Sequence, residues 1–328
     1  MKARAERRRR LGWLPGSCLG LVVLVGLFAP LLANDVPLVA SVGGQWTFPA
    51  LADLFGEPPP GPGDLAWKQW WARLDPRGDD WALMPPWPYG PLETDASRFG
   101  AAPTLTHPLG NDDTGRDVLA RIVHGASTAV AIGLPAVLAA ALVGTLLGLW
   151  AGVAGGVADV LVLRLIEVFL CFPTLLFLLF SAAFFGSSSL GLTIVMASLF
   201  WIGFARIVRG EMLSLRERDF VLVARGLGVP TWRILLMHLL PQVAGQVGVT
   251  AAFCMASAVV AESTLSFLGI GPNAASSWGT MLRQGREHAA TGAWHLWLFP
   301  ALAIVVLVVS CHALAVRLRR TPAAAVPV

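Results

Sequence analysis

Long apolar segments are the feature of this sequence that most restricts how the chain can fold. A helix of about 20 apolar residues crosses the roughly 30 Å hydrocarbon core of a bilayer. Six segments have this character, and they cover residues 11–33, 126–154, 160–185, 190–205, 243–261 and 297–316. Only 13% of the residues are charged, whereas charged residues make up about a quarter of a typical soluble protein. The sequence therefore predicts an integral membrane protein.

The spanning segments are expected to be helices. A backbone in contact with lipid must satisfy its hydrogen bonds within one segment or by closing a barrel. None of the six segments shows the alternation over about ten residues that is typical of barrel strands. We therefore predict an all-α, polytopic membrane protein with six transmembrane helices.

The first apolar segment follows a basic stretch, MKARAERRRR, as the apolar part of a secretory signal would. This apolar run is about 20 residues long, however, rather than the roughly 7 to 15 residues of a signal peptide. We favour an uncleaved anchor, so that residues 1–33 form a cytoplasmic N-terminus and the first helix.

Lysine and arginine are distributed unevenly between alternate loops. If the N-terminus is inside, sixteen of the 24 fall in inner segments and eight in outer segments. Positive residues favour the cytoplasmic side of a membrane. We therefore predict both termini, including residues 317–328, in the cytoplasm, with the protein in the inner membrane. The net charge of +4 is then a topology signal, and we infer no nucleic-acid partner from it.

Residues 34–124 form a long outer insertion that is rich in proline, glycine and tryptophan. Stretches such as EPPPGPGD and MPPWPYGP argue against long regular elements. The tryptophans of the insertion are Trp46, Trp67, Trp70, Trp71, Trp81 and Trp87. We favour a small packed cap at the membrane interface, where indole rings are stable, over a surface that stacks a ligand.

The stretch HPLGNDDTGRDVLARIVHGA, residues 107–126, leads into the second apolar segment. Its acidic residues Asp112, Asp113 and Asp117 could suggest a metal site. A turn followed by an Asp that caps a helix explains the same residues, and we favour it.

Cysteine and histidine give no sign of a metal, cofactor or catalytic site. The cysteines lie within predicted helices, at Cys18, Cys171, Cys254 and Cys311. They lack the spacing of a disulfide framework or a zinc site. The histidines His124, His238 and His312 are scattered, without the spacing of metal ligands on one helix face or a recognisable catalytic triad.

Residues 206–241 interrupt the apolar pattern with charge. Six arginines and three acidic residues lie between residues 206 and 238. At about 2.5–3.5 kcal/mol for each charge at the bilayer centre, embedding them would cost on the order of 25 kcal/mol. We therefore predict a cytoplasmic loop between the fourth and fifth helices, within a five-helix core of residues 125–316.

This loop carries two apolar stripes at helical spacing. The first stripe consists of Phe220, Val223, Ala224 and Leu227, and the second of Trp232, Leu235, Leu236 and Leu239. Gly228 suits the left-handed residue that ends a helix, and Pro230 suits the start of the next one, which we expect to end at Pro241. The result is a helix–turn–helix that either lies flat on lipid or fits the groove of a partner, and the residues leave both alternatives open.

The stretch FVLVARGLGVPTWRILLMHLLPQ resembles the cytoplasmic coupling-loop signature of importer permeases of the ATP-binding-cassette class. In that signature two small residues are followed by three residues, a glycine and, further on, a Leu-Pro pair. The matching positions here are Val223, Ala224, Gly228, Leu240 and Pro241. Leu222 replaces the glutamate that heads the general pattern.

Other stretches resemble the peptide-importer branch of that class. HPLGNDDTGRDVLARIVHG is similar to the segment before the second helix in C-type subunits of dipeptide and oligopeptide permeases, and FLGIGPNAASSWGTML is similar to their last outer loop. Residues 31–51 resemble the outer insertion of the microcin C and peptide importer subgroup. The resemblance covers nearly the whole chain.

The resemblance implies a type I importer permease fold and several partners. These are a second permease subunit, two cytoplasmic ATPases that push the coupling helices, and a periplasmic peptide-binding protein. ATP would be hydrolysed in the partners, because a P-loop needs a lysine and the chain contains only Lys2 and Lys68. For force transfer we favour Phe220, Ala224, Arg225, Gly228 and Trp232. Arg225 either pairs with an acid of the ATPase or is simply solvated.

Three ionisable residues near the ends of predicted helices are further candidates. Arg164 and Glu167, at i and i+3, are expected to form a local pair near the cytoplasmic interface rather than a contact in the pathway. Glu262 is expected to end the fifth helix near the outer surface, where it either caps the interface or faces the cavity.

Two rival functions remain open at this stage. A secondary transporter or channel would need no ATPase. It should show inverted repeats, broken helices or ionisable residues at mid-membrane. A membrane-anchored assembly protein would use its outer insertion to bind an envelope partner.

Overall fold

The computed structural model describes residues 16–54, 62, 66–74, 79–272 and 276–320. The basic N-terminal stretch, residues 11–15 of the predicted anchor and the last eight residues lie outside the described residues. The side chains of Arg225 and Leu236, which belong to the predicted coupling loop, also lie outside them.

Helices dominate the described part of the chain. They are α1 (Gly16–Leu27), α2 (Ala29–Leu32), α3 (Pro49–Leu54), α4 (Trp67–Trp71), α5 (Val118–Ala154), α6 (Gly156–Leu170), α7 (Thr174–Phe185), α8 (Ser189–Leu215), α9 (Asp219–Gly226), α10 (Thr231–Ile234), α11 (Leu240–Leu268), α12 (Trp278–Glu287) and α13 (His295–Arg320). A π-helical turn, Leu235–Leu239, joins α10 to α11, and a 3-10 turn, Ala289–Thr291, follows α12.

Four helical stretches of the described residues are long and apolar enough to cross a membrane. They are α5, α8, the continuous stretch from α10 through α11, and α13. The pair α6 and α7 adds a fifth span if the two are counted together, and the described part of the first predicted segment is the shorter apolar helix α1. The prediction of a helical, multi-pass membrane protein is confirmed.

The third predicted span is not one straight helix, as the sequence had suggested. Helices α6 and α7 are bent by 76° relative to each other, and the break covers Cys171 to Pro173. Proline disfavours the helical conformation of the residue before it, here Phe172, and has no N–H to continue the helix. The extended backbone of Pro173 then starts α7 in a new direction.

The other spans extend beyond the predicted boundaries. Helix α5 begins at Val118 rather than residue 126, and α8 continues ten residues beyond residue 205 to Leu215. Hydropathy detects only the part of a helix that matches the hydrocarbon, whereas backbone hydrogen bonds continue into the water-facing turns.

Helices α5 and α8 pack closely because α5 presents glycine at every fourth position. Gly144, Gly148 and Gly152 face α8, and a Cβ atom on Gly148 would lie 2.7 Å from the carbonyl oxygen of Ala205. Small residues at this spacing let two membrane helices approach to backbone contact. The sequence carries this signal, although it is not part of the coupling motif.

The outer insertion contains a small sheet that the sequence did not predict. Strands β1 (Val39–Val42), β2 (Gln45–Thr47) and β3 (Trp81–Leu83) pair antiparallel in the order β2-β1-β3. One face packs against the buried ring of Trp67. On the exposed side the rings of Trp46 and Trp81 meet edge to face, with centroids 5.4 Å apart.

Candidate functional site

The predicted helix–turn–helix is present between α8 and α11. We call α9, the turn, α10 and the π-helical turn the coupling hairpin (residues 219–239). The N–H of Val229 donates to the carbonyl of Ala224 at 3.0 Å, which closes the turn after α9. Gly228 adopts φ +76°, in the left-handed region that favours glycine, and Pro230 precedes α10. A Cβ atom at Gly228 would meet nothing within 4 Å, so the requirement for glycine is conformational rather than steric.

One side of the coupling hairpin packs on the ends of the spanning helices. Val221 and Ile234 are fully buried in an apolar cluster. The cluster also contains Leu149, Val208, Met212, Leu215, Leu239 and Val243. Ala224 and Leu240, two positions of the coupling motif, pack at its edge. The hairpin is therefore attached to α5, α8 and α11 by apolar contacts.

The opposite side of the hairpin exposes large apolar side chains. Val223 is 61% exposed and Leu227 is 78% exposed. The exposed apolar face comprises Phe220, Leu222, Val223, Leu227, Trp232 and Met237. The predicted first stripe is thus divided, because only Ala224 of its four members packs on the bundle. A partner or another apolar medium is needed to cover the rest.

The side chain of Arg233 is exposed, away from the packed side of the hairpin. The guanidinium of Arg233 lies 5.5 Å from the ring centroid of Trp232. Arg225 lies in α9. A charged group next to exposed aromatic and aliphatic side chains is typical of the rim of a protein interface.

Pro241 does not end a helix, contrary to the expectation from the sequence. The helix continues from Thr231 to Leu268, and a π-helical turn over Leu235–Leu239 accommodates the proline. The N–H of Leu240 donates to the carbonyl of Leu235, five residues back. Because Pro241 has no N–H to donate, this wider turn lets the chain pass the proline without a break. The hairpin and α11 therefore form one continuous helical element.

Arg164 and Glu167 form the expected local pair, with Nη1 of Arg164 2.7 Å from Oε2 of Glu167, and both side chains are exposed. Helix α6 is fixed elsewhere, by Arg209 of α8. Arg209 binds both carboxylate oxygens of Asp159, with Nη2 2.8 Å from Oδ2. This bidentate pair joins α6 to the C-terminal part of α8.

Glu262 does not end the fifth helix, since α11 continues to Leu268. Its carboxylate is buried and accepts hydrogen bonds from the hydroxyls of Ser266 and Ser277, both at 2.7 Å. Ser277 is also the N-cap of α12. Glu262 therefore connects α11 to the start of α12, and neither of the two expected roles describes this contact.

A buried ionic cluster on the other side of the bundle is absent from the sequence predictions. We call it the outer clasp, and it consists of Asp112, Arg116, Arg121 and Gln284. Arg121 is 2% exposed and bonds to Asp112, while its Nη1 also donates to Oε1 of Gln284 at 2.8 Å. Nε of Arg116 donates to Asp112 at 2.8 Å. Arg121, in α5, thereby ties the loop before α5 to α12, and its partner Gln284 lies 163 residues further along the chain.

The environment of Asp112 favours its charged form. Burial alone would raise the pKa of Asp112, but the charge of Arg121 and the hydrogen bond from Thr114 outweigh it and hold the pKa below its ordinary value. Asp112 thus acts as the anion that keeps the buried guanidinium paired.

Asp117 has the capping role expected from the sequence. Its Oδ1 accepts from the N–H of Ala120 at 2.7 Å, and its Oδ2 lies 2.7 Å from Nδ1 of His107. Further bonds fasten α12 to α5. The hydroxyl of Thr128 donates to the carbonyl of Ser276 at 2.7 Å.

Comparison with known proteins gives the family. Residues 144–321, more than half of the chain, match the family described as "Binding-protein-dependent transport system inner membrane component". The chain belongs to this family. The matched residues include α6 to α13 and all of the coupling hairpin, while the outer insertion and most of the outer clasp precede them.

Curated relatives agree with the family assignment. The oligopeptide transport system permease protein OppC of Haemophilus influenzae is 35% identical over 221 residues, which are 66% of this chain and 71% of the relative. OppC of Escherichia coli K12 is 39% identical over 217 residues, covering 65% and 72%. A putative peptide permease protein of Brucella suis is 35% identical over 228 residues, covering 69% and 75%.

Membership of the binding-protein-dependent transport family makes this chain a transport component of a membrane and not itself a catalytic subunit. The functional site of such a component is a binding surface rather than a reaction centre. Of the candidate residues, Phe220, Val223 and Trp232 are presented outward, whereas Ala224 and Leu240 hold the hairpin in place.

Proposed function

We propose that this chain is one of two membrane-spanning subunits of an ATP-driven importer for peptides or peptide-like substrates. It would form half of the translocation pathway, and its coupling hairpin would dock into a separate cytoplasmic ATPase. The permeases named for oligopeptide transport among the relatives support the substrate class.

The observation that carries this proposal is the two-sided coupling hairpin. Val223 follows the buried Val221 by two residues, which places it about 200° around the helix and away from the bundle. A hairpin that rested on lipid would direct its apolar side toward the bilayer, where the bundle lies. The outward direction of Val223 favours the groove of a soluble partner instead.

The attachment of the hairpin suits a lever. Motion of the docked hairpin would pass through the packed Val221 and Ile234 and along the continuous helix into α11. Because the apolar contacts of this cluster are not directional, the hairpin can shift on the bundle without breaking an ion pair.

The proposal includes an assembly of partners and an orientation. The partners are a second permease subunit, two cytoplasmic ATPases and a soluble binding protein on the outer side. Both termini and the coupling hairpin lie in the cytoplasm, in agreement with the positive residues of residues 206–241.

Uptake and purification test the proposal together. Cells that lack this subunit should lose uptake of some members of a panel of dipeptides, oligopeptides and modified peptides, and the restored chain should bring down a different permease and two ATPases. Unchanged uptake across the panel, together with purification of the chain without any ATPase, would contradict it.

A further inference from the structure

A loop on the outer side is uncharged and strongly exposed. Residues 99–108 read FGAAPTLTHP, without one Asp, Glu, Lys or Arg. The side chain of Leu105 is fully exposed, and Phe99 is 61% exposed. Large apolar groups in water mark a surface that another molecule covers.

Hydrogen bonds hold this loop in one shape. The N–H of Thr104 donates to the carbonyl of His107 at 2.9 Å, and Nη1 of Arg98 donates to the hydroxyl of Thr106 at 3.3 Å. Arg98 precedes Phe99 and Thr106 follows Leu105, so the second bond joins residues next to the two apolar side chains. A loop ordered before binding loses little entropy when a partner docks on it.

The outer clasp supports the loop from below. The N–H of Gly100 donates to the carbonyl of Asp112 at 2.7 Å, and the N–H of Asn111 donates to the carbonyl of Ala101 at 2.9 Å. Since Asp112 binds the buried Arg121, the loop is joined through the clasp to α5 and α12. The exposed side chains therefore stand on a fixed base.

The loop lies beyond the hydrocarbon. The N–H of Val118, at the start of α5, donates to the carbonyl of Gly110 at 3.1 Å, so the loop adjoins the outer end of that helix. The apolar run of α5 begins eight residues later, at residue 126, which is about 12 Å along the helix. Lipid tails therefore do not cover Leu105.

We propose that residues 99–108, with Phe99 and Leu105 at the centre, form a docking surface for the soluble substrate-binding protein on the outer side. This inference rests on the proposed function, and the family is itself described as dependent on a binding protein. The chain neighbours of the two apolar side chains are polar and contact one another, since Arg98 bonds to both Asp95 and Thr106, as at the rim of protein interfaces. The partner surface is accordingly an uncharged apolar patch on that protein.

The test uses the complete transporter in lipid nanodiscs with the peptide-loaded binding protein that stimulates its ATPase. Leu105→Asp should raise the concentration of loaded binding protein at half-maximal stimulation by roughly tenfold or more, with the maximum unchanged. Leu83→Asp is the matched control, because Leu83 is 55% exposed on β3 of the same insertion, and it should leave this concentration unchanged. Phe99→Asp should act as Leu105→Asp does.

Three results would overturn the inference. Equal half-maximal concentrations for Leu105→Asp and the unchanged transporter would exclude the surface as a docking site. A photocrosslinker at position 105 that reacts only within this chain or with lipid would identify another occupant. If no soluble binding protein stimulates the unchanged transporter, the proposed function itself fails, and the docking surface with it.

Discussion

The outer clasp and the coupling hairpin are attached to the helical bundle in opposite ways. In the outer clasp, buried charges and hydrogen bonds join elements far apart in sequence, as when Arg121 bonds to both Asp112 and Gln284. On the side of the coupling hairpin, Val221 and Ile234 pack in an apolar cluster whose contacts have no preferred direction. Removing one partner of a buried ion pair strands a charge, whereas an apolar contact can slide.

We predict from this difference that the outer clasp stays fixed and that the coupling hairpin moves. The outer clasp keeps the loop before α5 and α12 in one arrangement. The coupling hairpin presents Val223 and Leu227 outward while its packed side allows small shifts. A rigid clasp and a compliant hairpin suit the proposed subunit, in which an ATPase would push the hairpin.

Breaking the outer clasp should have the largest effect on folding. Arg121→Met leaves the carboxylate of Asp112 buried and unpaired by its main partner, so the free energy of unfolding should fall by about 3–5 kcal/mol. Thermal unfolding in detergent measures this change. Arg98→Gln is the control, because its ion pair with Asp95 is largely exposed and should contribute no more than about 1 kcal/mol. Equal losses in the free energy of unfolding for the two variants would remove the contrast between the outer clasp and the coupling hairpin.

A charged side chain on the exposed side of the coupling hairpin should abolish docking of the ATPase without unfolding the chain. Val223→Asp should change the free energy of unfolding by less than about 0.5 kcal/mol, since the side chain is mostly in water. It should reduce the ATPase that copurifies by roughly tenfold or more. The matched change on the packed side, Val221→Ala, should instead cost about 1–3 kcal/mol of stability through lost burial and a cavity. Retention of the ATPase by Val223→Asp would contradict the assigned face.

The turn of the hairpin should tolerate asparagine and reject valine. Gly228 has a positive φ, which costs a β-branched residue about 1–2 kcal/mol or more and costs asparagine less. Gly228→Val should therefore lower peptide uptake several-fold while ATP hydrolysis continues, and Gly228→Asn should stay near the unchanged protein. Both variants should reach the membrane in normal amounts. Equal uptake by the two would show that the bend is not needed for coupling.

Acid should weaken the outer clasp, with the smallest effect of the four. The folded pKa of Asp112 lies below the ordinary value of about 3.9, so its stabilising contribution is fully present above about pH 4 and is lost as the pH falls through the folded pKa. The unfolding temperature should therefore fall more steeply below about pH 4 in the unchanged protein than in Asp112→Asn. Parallel curves for the two would deny Asp112 this role.

Local patterns in the sequence predicted the elements but not the long-range ties. The apolar runs, the bend at Gly228 and the cap at Asp117 each depend on neighbouring residues, and the structure contains all three. The bond from Arg121 to Gln284 spans 163 residues and follows no periodic spacing, so one sequence could not reveal it. The side of α9 that packs on the bundle was not predicted either, because apolar residues surround the helix and only the contacts of Val221 distinguish the faces.

The two prolines show how context decides a local rule. Pro173 lies at the bend between α6 and α7, where residues 171–173 are exposed, and the sequence Cys-Phe-Pro could have predicted the break. Pro241 does not break its helix, because a π-helical turn next to the buried Leu239 and Val243 carries the chain past it. Proline alone predicts a disturbance, and packing determines its form.

Labelling of the coupling hairpin tests the central claim most directly. Leu227→Cys, in a chain whose four native cysteines are replaced, puts a thiol at a position that is 78% exposed. A membrane-impermeant maleimide should label it in inside-out vesicles and not in right-side-out vesicles, and bound ATPase should protect it. Labelling from the outer side, or equal labelling with and without the ATPase, would contradict a cytoplasmic hairpin that the ATPase binds.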